Sequence, residues 1–439
     1  LTFTLQKGYA SIFIDGVLDG TTKFYFPGKN IITGLSLGRG FGNNSGPNTT
    51  VDEASFSSVG RSSNWISATY HNQKPNSGYL NFGNLIGPIS LNDPIGTEVY
   101  GKKDSILSHT VGFSGNGSFS ASGLPPGLSI NSSTGVISGS TSVVGTQSFT
   151  VTATGTTAGG ASISVSKQYK TVISDPSSFP FRVNLTLSGY TGTSTLSDFP
   201  VLVSLGSSIS GFSYNAFLDS DGDGIRTGGD LRFFAANGKE LSYELADWNT
   251  SGSSQVWVKV PSISGNNTVI TAVWGKAGTE TTTPDYATHD SVWSNGFHGV
   301  WHLNKMVSNS LSDSSPNGFH AMSVNGAQIG SGQIGKGIIL DGADDYVNLG
   351  REAGNPGGVV GTSFWVKSNG TRNRILSNKE TTSGTTGWEI YAGSSDTKVY
   401  LKGSGSTARS KDVVTSWAAS NWHYLSTGYH TDGSLSLHV

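Results

Sequence analysis

An acidic loop in the middle of the chain has the residue types and the spacing of a calcium site. It reads Asp219-Ser-Asp221-Gly-Asp223-Gly-Ile225 and closes at Asp230. Carboxylates thus occupy positions 1, 3, 5 and 12 of a twelve-residue loop, glycine occupies position 6, and the carbonyl of position 7 is a further oxygen donor. We predict that Asp219, Asp221, Asp223, Ile225 and Asp230 bind Ca²⁺ and rigidify the loop. The alternative is an acidic turn in solvent.

Three other patterns match motifs of catalysis or cofactor binding without the context that the chemistry needs. The run Gly34–Gly38 matches the Gly-x-Ser-x-Gly nucleophile elbow, but here a strand leads into a glycine-rich loop instead of a helix. The run Gly330–Gly335 matches a dinucleotide fingerprint, but an apolar strand follows it. His298 and His302 would share one helix face as zinc ligands, yet their neighbours predict a strand.

The sequence also offers no pair of catalytic carboxylates. Hydrolysis of a glycosidic bond needs two acids on either side of a groove. Glucanases of the concanavalin type carry a Glu-x-Asp-x-x-Glu strand, and no such string occurs in this chain. We therefore predict that the chain is not an enzyme, with no catalytic residues and no cofactor other than calcium.

The composition predicts short strands and many turns. Of 439 residues, 61 are glycine, and 13% are charged, against roughly a quarter in an ordinary globular protein. Methionine occurs twice, and serine and threonine are abundant, which favours strands and turns over helices. At ~150 residues per domain, the length indicates about three domains.

Charge and cysteine content exclude several kinds of partner. The net charge is −2 and no run of Lys and Arg stands out, so we expect no nucleic-acid partner. A membrane-spanning helix needs an apolar run of about 18 residues or more, and this chain has no run of that length. We therefore expect no membrane insertion in this segment. Cysteine is absent, which excludes disulfides and thiolate metal sites.

The acidic loop stands in a stretch of predicted strands, residues 177–287. The strands are Phe199–Leu205, Leu231–Phe234, Leu241–Leu245, Gln255–Pro261 and Val269–Gly275. Their order resembles an uncharacterised bacterial domain family that often precedes laminin-G-like domains. The resemblance implies a β-sandwich and carries no settled activity. The loop itself resembles the calcium loops of dockerins, with strands in place of the flanking helices.

Residues 85–176 form a further unit of short strands. The segment Ser122–Ile130 contains a Pro-Pro pair that fixes an extended backbone, and Asn131–Gly135 predicts a tight turn between two short strands. A strand is predicted at Ser148–Ala153. The whole motif resembles a bacterial Ig-like and cadherin-like family, which implies an Ig-like sandwich. Because charged residues are few, we interpret this unit as a spacer.

The two ends of the chain resemble complementary parts of one domain. In residues 288–439 the strings are His298–Asn304, Gly337–Val347, Thr362–Val366, Trp422–Leu425 and Leu435–Val439. They resemble the first two thirds of a laminin-G-like, concanavalin-type jelly roll. In residues 1–84 the strings are Ala10–Ile14 with Asp15-Gly16, Leu35–Arg39, Val51–Phe56 and Gly60–Ile66. They resemble the closing third. The alternative is two unrelated β fragments.

This resemblance implies two further expectations. The first is a tandem period of roughly 425 residues, in which each jelly roll is completed by the next repeat or subunit. The second is a calcium site at the rim of the jelly roll, formed by Asp341, Asp344 and Asp345 and joined by Asp52 from the closing third. The alternative for these aspartates is a polar strand end.

Five tryptophans crowd the last part of the chain: Trp301, Trp365, Trp388, Trp417 and Trp422. Exposed rings would stack on sugar faces, whereas buried rings would form the core. Trp365 and Trp422 stand in strands with alternating apolar residues, which predicts that both belong to the core. We favour the core for the other three as well.

Taken together, the sequence predicts an all-β protein of several β-sandwiches: a split laminin-G/concanavalin-like jelly roll, an Ig-like sandwich and a second β-sandwich with the calcium loop. The predicted function is structural and adhesive, in a prokaryotic surface fibre, stalk or filament. Its expected partners are copies of itself and surface glycans, and its expected location is extracellular or at the cell surface. The alternative function is a glycan-binding, lectin-like adhesin or an accessory module of a polysaccharide-degrading system.

Overall fold

The fold is nearly all β, as the sequence predicts. The protein is represented by a computed structural model. It describes residues 2–6, 9–14, 17–23, 90–91, 96–114, 117–156, 162–219, 222–279, 284, 287, 289–350, 353, 360–367, 373–377, 387–392, 397–402, 409–413, 421–429 and 435–438. Among these residues the α-helix α1, His289–Val292, is the only α-helix, and no helix is long and apolar enough to cross a membrane.

The chain divides into two compact units. The first consists of Leu1–Pro88 with Thr156–Ala161, and its described strands are β1 (Thr2–Gln6), β2 (Tyr9–Ile14) and β3 (Val17–Lys23). They form an antiparallel meander in the order β1-β2-β3. The predicted strand Ala10–Ile14 is therefore confirmed. The other predicted strings of this end, including Asp52, lie outside the described residues.

The second unit consists of Ile89–Gly155 with Ser162–Val439. It begins with an Ig-like sandwich. The strands are β4 (Ser90–Leu91), β5 (Glu98–Lys102), β6 (Leu107–Thr110), β7 (Phe113–Ser114), β8 (Gly117–Ser122), β9 (Leu128–Ile130), β10 (Val136–Gly139), β11 (Gly145–Thr156) and β12 (Ser162–Ser174). The larger sheets have the orders β5-β12-β11-β8 and β6-β10-β9, and a short sheet pairs β4 with β7. Alternate residues of β11 are buried against the second sheet, as period-two burial requires.

The predicted turn at Asn131–Gly135 joins β9 to β10. Asn131 Oδ1 accepts hydrogen bonds from the backbone N–H groups of Ser133 and Thr134, both at 2.9 Å. Gly135 closes the turn with a φ of 68°, a left-handed conformation that glycine adopts without a steric penalty. The prediction of a tight turn between two short strands is confirmed.

A second sandwich follows. Its strands are β13 (Phe181–Leu187), β14 (Leu196–Leu205), β15 (Arg232–Ala235), β16 (Tyr243–Asp247), β17 (Ser254–Ile263) and β18 (Thr268–Trp274). The sheets have the orders β13-β18-β15 and β14-β17-β16. Val256, Val258 and Val260 of β17 face Ile270 and Ala272 of β18 in one buried core. All five strands that the sequence predicts here are present, with ends that differ by at most three residues. Two 3₁₀ turns, Pro176–Ser178 and Tyr214–Ala216, complete the sandwich.

Residues 289–350 form short paired strands around a small core. After α1 come β19 (Met306–Val307), β20 (Ser310–Leu311), β21 (Ser323–Asn325), β22 (Gln328–Ser331), β23 (Lys336–Ile339) and β24 (Tyr346–Asn348). The pairs are β19-β20, β21-β24 and β22-β23. Leu311, Ala321, Val324 and Ala327 are the buried centre of this core.

The predicted strand at His298–Asn304 is wrong, because this segment has no regular structure. Leu303 has a φ of 57°, which no extended strand allows. The N–H of Val300 bonds to the carboxylate of Asp313 instead of to a neighbouring strand. The strand expected after Gly330–Gly335 is present as β23, so the dinucleotide interpretation stays excluded at this position.

The last part of the chain is a two-layer arrangement. Its strands are β25 (Val360–Lys367), β26 (Asn373–Ser377), β27 (Gly387–Ala392), β28 (Thr397–Lys402), β29 (Arg409–Val413), β30 (Trp422–Tyr429) and β31 (Leu435–His438). The sheets have the orders β25-β30-β31 and β26-β27-β28-β29. Val366 and Leu425 of the first sheet pack with Ile390 of the second.

The core prediction for Trp365 is wrong. Phe364 and Val366 point into the core, so Trp365 between them lies on the opposite face of β25 with 40% of its surface exposed. Trp422 is half-buried on that same outer face, so the core prediction is wrong for Trp422 as well. Trp301 is half-buried and donates its Nε1–H to the carbonyl of Phe319 at 2.9 Å. The side chains of Trp388 and Trp417 lie outside the described residues.

Candidate functional site

The predicted calcium loop connects the 3₁₀ turn Tyr214–Ala216 to β15. Asp219 accepts the N–H of Gly222 on Oδ1 at 3.0 Å and the N–H of Gly224 on Oδ2 at 2.9 Å. Both glycines have positive φ, 74° and 82°, so the sharp bend depends on them. Asp223 Oδ1 accepts the N–H of Ile225 at 2.7 Å. Asp221 lies outside the described residues.

Asp230 ends the loop inside the protein. It is fully buried, and its Oδ2 accepts the N–H of Leu218 at 3.3 Å and the N–H of Gly275 at 2.6 Å. These two bonds tie both ends of the loop to the residue that follows β18. Arg226 adds a bond from its Nε to the carbonyl of Phe217 at 3.0 Å. The loop is therefore anchored on the sandwich at both of its ends.

The Asp219 carboxylate suits calcium chemically, because each of its oxygens accepts one N–H and keeps a lone pair for a cation. Among the described residues, however, the carboxylates of Asp219, Asp223 and Asp230 do not gather into one group. Calcium binding at Asp219, Asp221, Asp223, Ile225 and Asp230 stays a prediction.

The carboxylates of Asp341, Asp344 and Asp345 do gather, with ligand atoms within 4.8 Å of one another. Asp345 Oδ2 accepts the N–H of Asp341 at 2.8 Å, and Asn325 Nδ2 donates to the carbonyl of Asp344 at 2.9 Å. The group is largely exposed, and exposed acidic groups are common without an ion. This predicted site therefore has a plausible donor set on three of its four residues, while Asp52 lies outside the described residues.

Sequence reasoning missed a buried polar centre at Glu244. This residue of β16 is 2% exposed, and its side chain lies on the face of the sheet opposite the core. Its Oε2 accepts the Nε1–H of Trp293 at 2.6 Å and lies 3.2 Å from Nε2 of His302, while its Oε1 accepts the hydroxyl of Ser314 at 2.7 Å. Three segments after the second sandwich thus converge on one carboxylate of that sandwich.

A second buried carboxylate, Asp313, organises the turn that presents Ser314. Its Oδ1 accepts the N–H groups of Val300 and Ser315, both at 2.8 Å. Its Oδ2 accepts the N–H of Phe319 at 2.8 Å and the hydroxyl of Ser315 at 2.7 Å. Asp313 is 3% exposed, so these four bonds compensate the loss of its hydration.

The side chains around Glu244 hold neighbouring segments in place and do not form a catalytic arrangement. The hydroxyl of Ser314 donates to Glu244 and not to an imidazole, so the bond does not activate it as a nucleophile. His302 stacks on Trp257 with centroids 5.9 Å apart, and His298 lies against the ring of Phe319 at 4.9 Å. Both imidazoles therefore have packing roles.

Further contacts extend this interface, which we call the Glu244 joint and define as Glu244–Lys259 against 289–336. Asn304 Nδ2 donates to the carbonyl of Ala246 at 2.6 Å, and Lys259 Nζ donates to Ser294 Oγ at 3.0 Å. Lys336 Nζ lies 3.9 Å from Asp247 Oδ1 at the other end of β16. The joint therefore spans most of the outer face of β16 and β17.

A second joint connects the Ig-like sandwich to the sandwich that follows. We call it the Gly238 joint and define it as residues 98–103 and 174–178 against 237–239. Ser174 Oγ donates to the carbonyl of Gly238 at 2.7 Å, and Lys239 Nζ lies 5.0 Å from the ring centroid of Tyr100. Burial and a hydrogen bond to Glu98 raise the pKa of Tyr100 above its ordinary range.

Asp175 stands at the centre of the short connection in the Gly238 joint. A hydrogen bond from Ser177 holds the pKa of Asp175 below its ordinary value, with further lowering by the charges of Lys103 and Lys276. Lys103 Nζ lies 3.7 Å from Asp175 Oδ2, and Lys276 Nζ donates to Ser178 Oγ at 2.9 Å. The connection is thus fixed by charge on both sides.

Comparisons with known proteins agree with this architecture. A family model described as "Putative Ig domain" matches residues 92–174, and one described as "Domain of unknown function (DUF2341)" matches residues 227–300. These matches confirm the predicted resemblance to an Ig-like family and to an uncharacterised domain family. The second match extends beyond the predicted boundary at residue 287, and the domain boundaries stay predictions. The laminin-G-like resemblance of the two ends stays a prediction. No curated protein matches the chain.

Several solved structures are similar in part. A "putative alpha-galactosidase" from Bacteroides fragilis is 24% identical over 22% of this chain and 19% of that chain, with a TM-score of 0.18. SGBP-B of the Bacteroides ovatus mixed-linkage glucan utilization locus, in complex with a mixed-linkage heptasaccharide, is 13% identical over 40% and 51%, with a TM-score of 0.15.

Protocadherin Gamma B2 extracellular cadherin domains 3-6 are 9% identical over 74% of this chain and 71% of that chain, with a TM-score of 0.17. The chain spans about a fifth of the length of the galactosidase. Values this low transfer neither activity nor ligand to the chain.

Proposed function

We propose that the chain is a structural and adhesive segment of a prokaryotic extracellular or cell-surface fibre, stalk or filament. The observation that carries the proposal is that specific side-chain contacts, those of the Gly238 joint and the Glu244 joint, connect successive β-modules of the second unit. Modules on flexible tethers would need no such contacts, whereas a load-bearing spacer depends on them. The matched Ig domain is consistent with an extracellular spacer.

The Glu244 joint supplies the stronger support. A buried carboxylate costs free energy unless donors compensate it, and here the donors are Trp293, His302 and Ser314 of the following segment. Separating the two partners would leave Glu244 without these donors. The arrangement between residues 243–259 and 289–336 is therefore specified energetically and not by chain connectivity alone.

The experiment that tests the proposal removes the carboxylate. In Glu244→Ala, up to three donors lose their acceptor, and each buried donor left without one costs about 1–3 kcal/mol. We expect residues 289–304 to become sensitive to limited proteolysis while the Ig-like sandwich stays intact, with a lower thermal midpoint in calorimetry. The matched control is Glu240→Gln, which alters a half-exposed carboxylate that pairs with Arg232 within the same sandwich. Equal protease resistance of Glu244→Ala and the wild type would contradict the proposal.

We further propose that copies of the chain, as adjacent repeats or subunits, complete the jelly roll. In the described residues, β31 is the last strand of the sheet β25-β30-β31 and pairs with β30, and a strand in this position can be extended by a further strand. Electrophoresis of native material under denaturing conditions separates two forms of this proposal. A ladder or a band near 45.8 kDa indicates discrete subunits, and a very large band indicates one giant chain.

Calcium is the cofactor that we propose for both acidic sites. At Asp219, Asp221, Asp223, Ile225 and Asp230 the support is the loop spacing together with an anchored geometry. At Asp341, Asp344 and Asp345 it is the clustering of three carboxylates. Bound calcium would stiffen loops that leave the sandwich edges, which suits a load-bearing segment.

A further inference from the structure

The outer face of the sheet β25-β30-β31 carries aromatic side chains that the core does not use. Trp365 lies opposite Tyr424, with ring centroids 5.4 Å apart at 60° and exposed fractions of 40% and 48%. One step along the same face, Lys367 lies opposite Trp422, with its Nζ 5.7 Å from the ring centroid. We call Trp365, Tyr424, Trp422 and Lys367 the aromatic face.

The described side chains next to the aromatic face are small and polar. In the register of β25, β30 and β31 they belong to Ser363, Ser426 and Ser436, with Gly361 and Gly428 beside them, and the backbone of His438 lies opposite Ser426. Hydroxyl groups therefore border the three rings. Lys367 is the charged side chain on the described part of this face, and no described carboxylate lies there.

The size of the aromatic face argues against a protein partner. An aromatic side chain buries about 150–250 Å² when it is fully covered. Trp365 and Tyr424 are already about half covered by the protein. The accessible area that remains on the rings is well below the area of about 800 Å² that each partner buries in a standard protein interface. An occupant of one or two rings in size fits better.

We propose that the aromatic face binds a polysaccharide through its pyranose rings. A pyranose presents a face of C–H groups, which packs on the electron-rich face of an aromatic ring, and an edge of hydroxyl groups. The ammonium group of Lys367 has three donors for those hydroxyls or for a uronate carboxylate. Neutral and acidic polysaccharides share this ring chemistry, so the test must distinguish them. Binding here requires neither of the two acidic sites.

The test is calorimetric titration of the full chain with two probes, cellohexaose as the neutral and an oligogalacturonate as the acidic pyranose chain. We expect one of them to bind, and Trp365→Ala and Tyr424→Ala each to weaken that binding about tenfold, in the range of a buried aromatic contact. Trp365→Phe keeps a ring and should retain most of the affinity. Lys367→Gln should weaken the binding of the acidic probe, because the variant loses the positive charge that pairs with a uronate, and it should leave the binding of the neutral probe nearly unchanged.

The matched control is Tyr346→Ala, which removes a tyrosine that is 51% exposed on β24, away from this sheet. Circular dichroism of each variant separates lost binding from lost folding. The proposal is overturned if neither probe binds the wild type, or if Trp365→Ala binds as the wild type does. It is also overturned if a chelator abolishes binding, which would place the sugar at an ion, or if the aromatic substitutions abolish self-association of the chain and leave sugar binding intact.

Discussion

Asp175 shows how a single residue links the stability of the Gly238 joint to pH. Its folded pKa is held below the ordinary value of about 3.8 by the hydrogen bond from Ser177 and by the charges of Lys103 and Lys276. The folded state therefore binds the Asp175 proton less tightly than the unfolded state does. The resulting stabilisation is present above the ordinary value and is lost as the pH falls through the folded pKa.

We predict that Asp175→Asn lowers the thermal midpoint at neutral pH and that the difference from the wild type shrinks as the pH is lowered below about 4. Thermal unfolding followed by circular dichroism from about pH 7 to about pH 3 measures this. Asp104→Asn, which alters a carboxylate with 64% of its side chain exposed, is the control and should change little. A constant difference across the whole range would contradict the assignment.

Asp219 allows the calcium prediction to be tested at one residue. Calcium at about 100 times its dissociation constant stabilises a folded protein by about 2.7 kcal/mol. We expect Ca²⁺ to raise the thermal midpoint of the wild type, and Asp219→Asn to lose the part of this increase that arises at the loop. Asn keeps one acceptor for the loop backbone, which limits local unfolding.

The matched control for the loop is Asp341→Asn, which alters the other acidic group. If the two sites act independently, each single substitution removes part of the calcium effect and the double variant removes all of it. An unchanged calcium effect in Asp219→Asn would show that the loop is an acidic turn without an ion.

Single residues also show where sequence reasoning ends. The Asp219 loop is recognisable because all its donors lie within twelve consecutive residues. Glu244 gave only a weak local signal, a carboxylate between Tyr243 and Leu245. Its partners Trp293, His302 and Ser314 are 49, 58 and 70 residues away in the chain. No local pattern identifies donors at such separations.

At the level of elements, the turn between β15 and β16 determines how the Ig-like sandwich meets the next one. Gly238 in this turn has a φ of 89°, and a Cβ atom there would lie 2.5 Å from the carbonyl oxygen of Gly101 in β5. The two backbones can come this close only because position 238 has no side chain. The turn therefore acts as the contact element of the joint.

A residue with a side chain loses about 1 kcal/mol of stability in a left-handed backbone conformation. We predict that Gly238→Ala destabilises the protein by more than this amount, because the added Cβ atom also meets the carbonyl oxygen of Gly101. Gly96→Ala is the matched control, because Gly96 has a φ of 93° and open space around its Cβ position. Chemical denaturation of both variants gives the two losses of unfolding free energy. Equal losses would mean that the contact with Gly101 contributes nothing.

Elements were predictable where burial alternates along a strand. β14, β16, β17 and β18 were located to within a few residues because a half-buried strand alternates apolar and polar positions. The same reasoning failed at His298–Asn304, where His302 contacts Glu244 and Trp301 bonds to the carbonyl of Phe319, and neither belongs to a sheet. It also failed for Trp365, because alternation indicates that two faces exist but not which one is covered.

For the whole molecule, the order of the Ig-like unit and the next sandwich followed from motifs that local turns and strands produce. The contacts between modules did not follow, since they depend on outer sheet faces such as that of β16 and β17. The complementary relation of the two ends is a hypothesis about association, and it needs a measurement in solution.

We predict that the chain associates with copies of itself. Analytical ultracentrifugation should give an average mass that rises above 45.8 kDa with protein concentration. Ser436→Lys places a charge in the outer strand β31 and should weaken this association, because lysine on an edge strand opposes pairing with another strand. Ser129→Lys, the same substitution at an exposed position of β9 in the Ig-like sandwich, is the control. A wild type that stays at the mass of one chain at all concentrations would contradict the prediction.

The Glu244 joint has a consequence under mechanical load. Trp293, His302 and Ser314 all meet one carboxylate of the preceding sandwich. Because Glu244 is 2% exposed, losing one of these contacts leaves a buried charge less compensated and weakens the remaining arrangement. We therefore expect the joint to open in a single cooperative step when it is strained, instead of loosening one contact at a time.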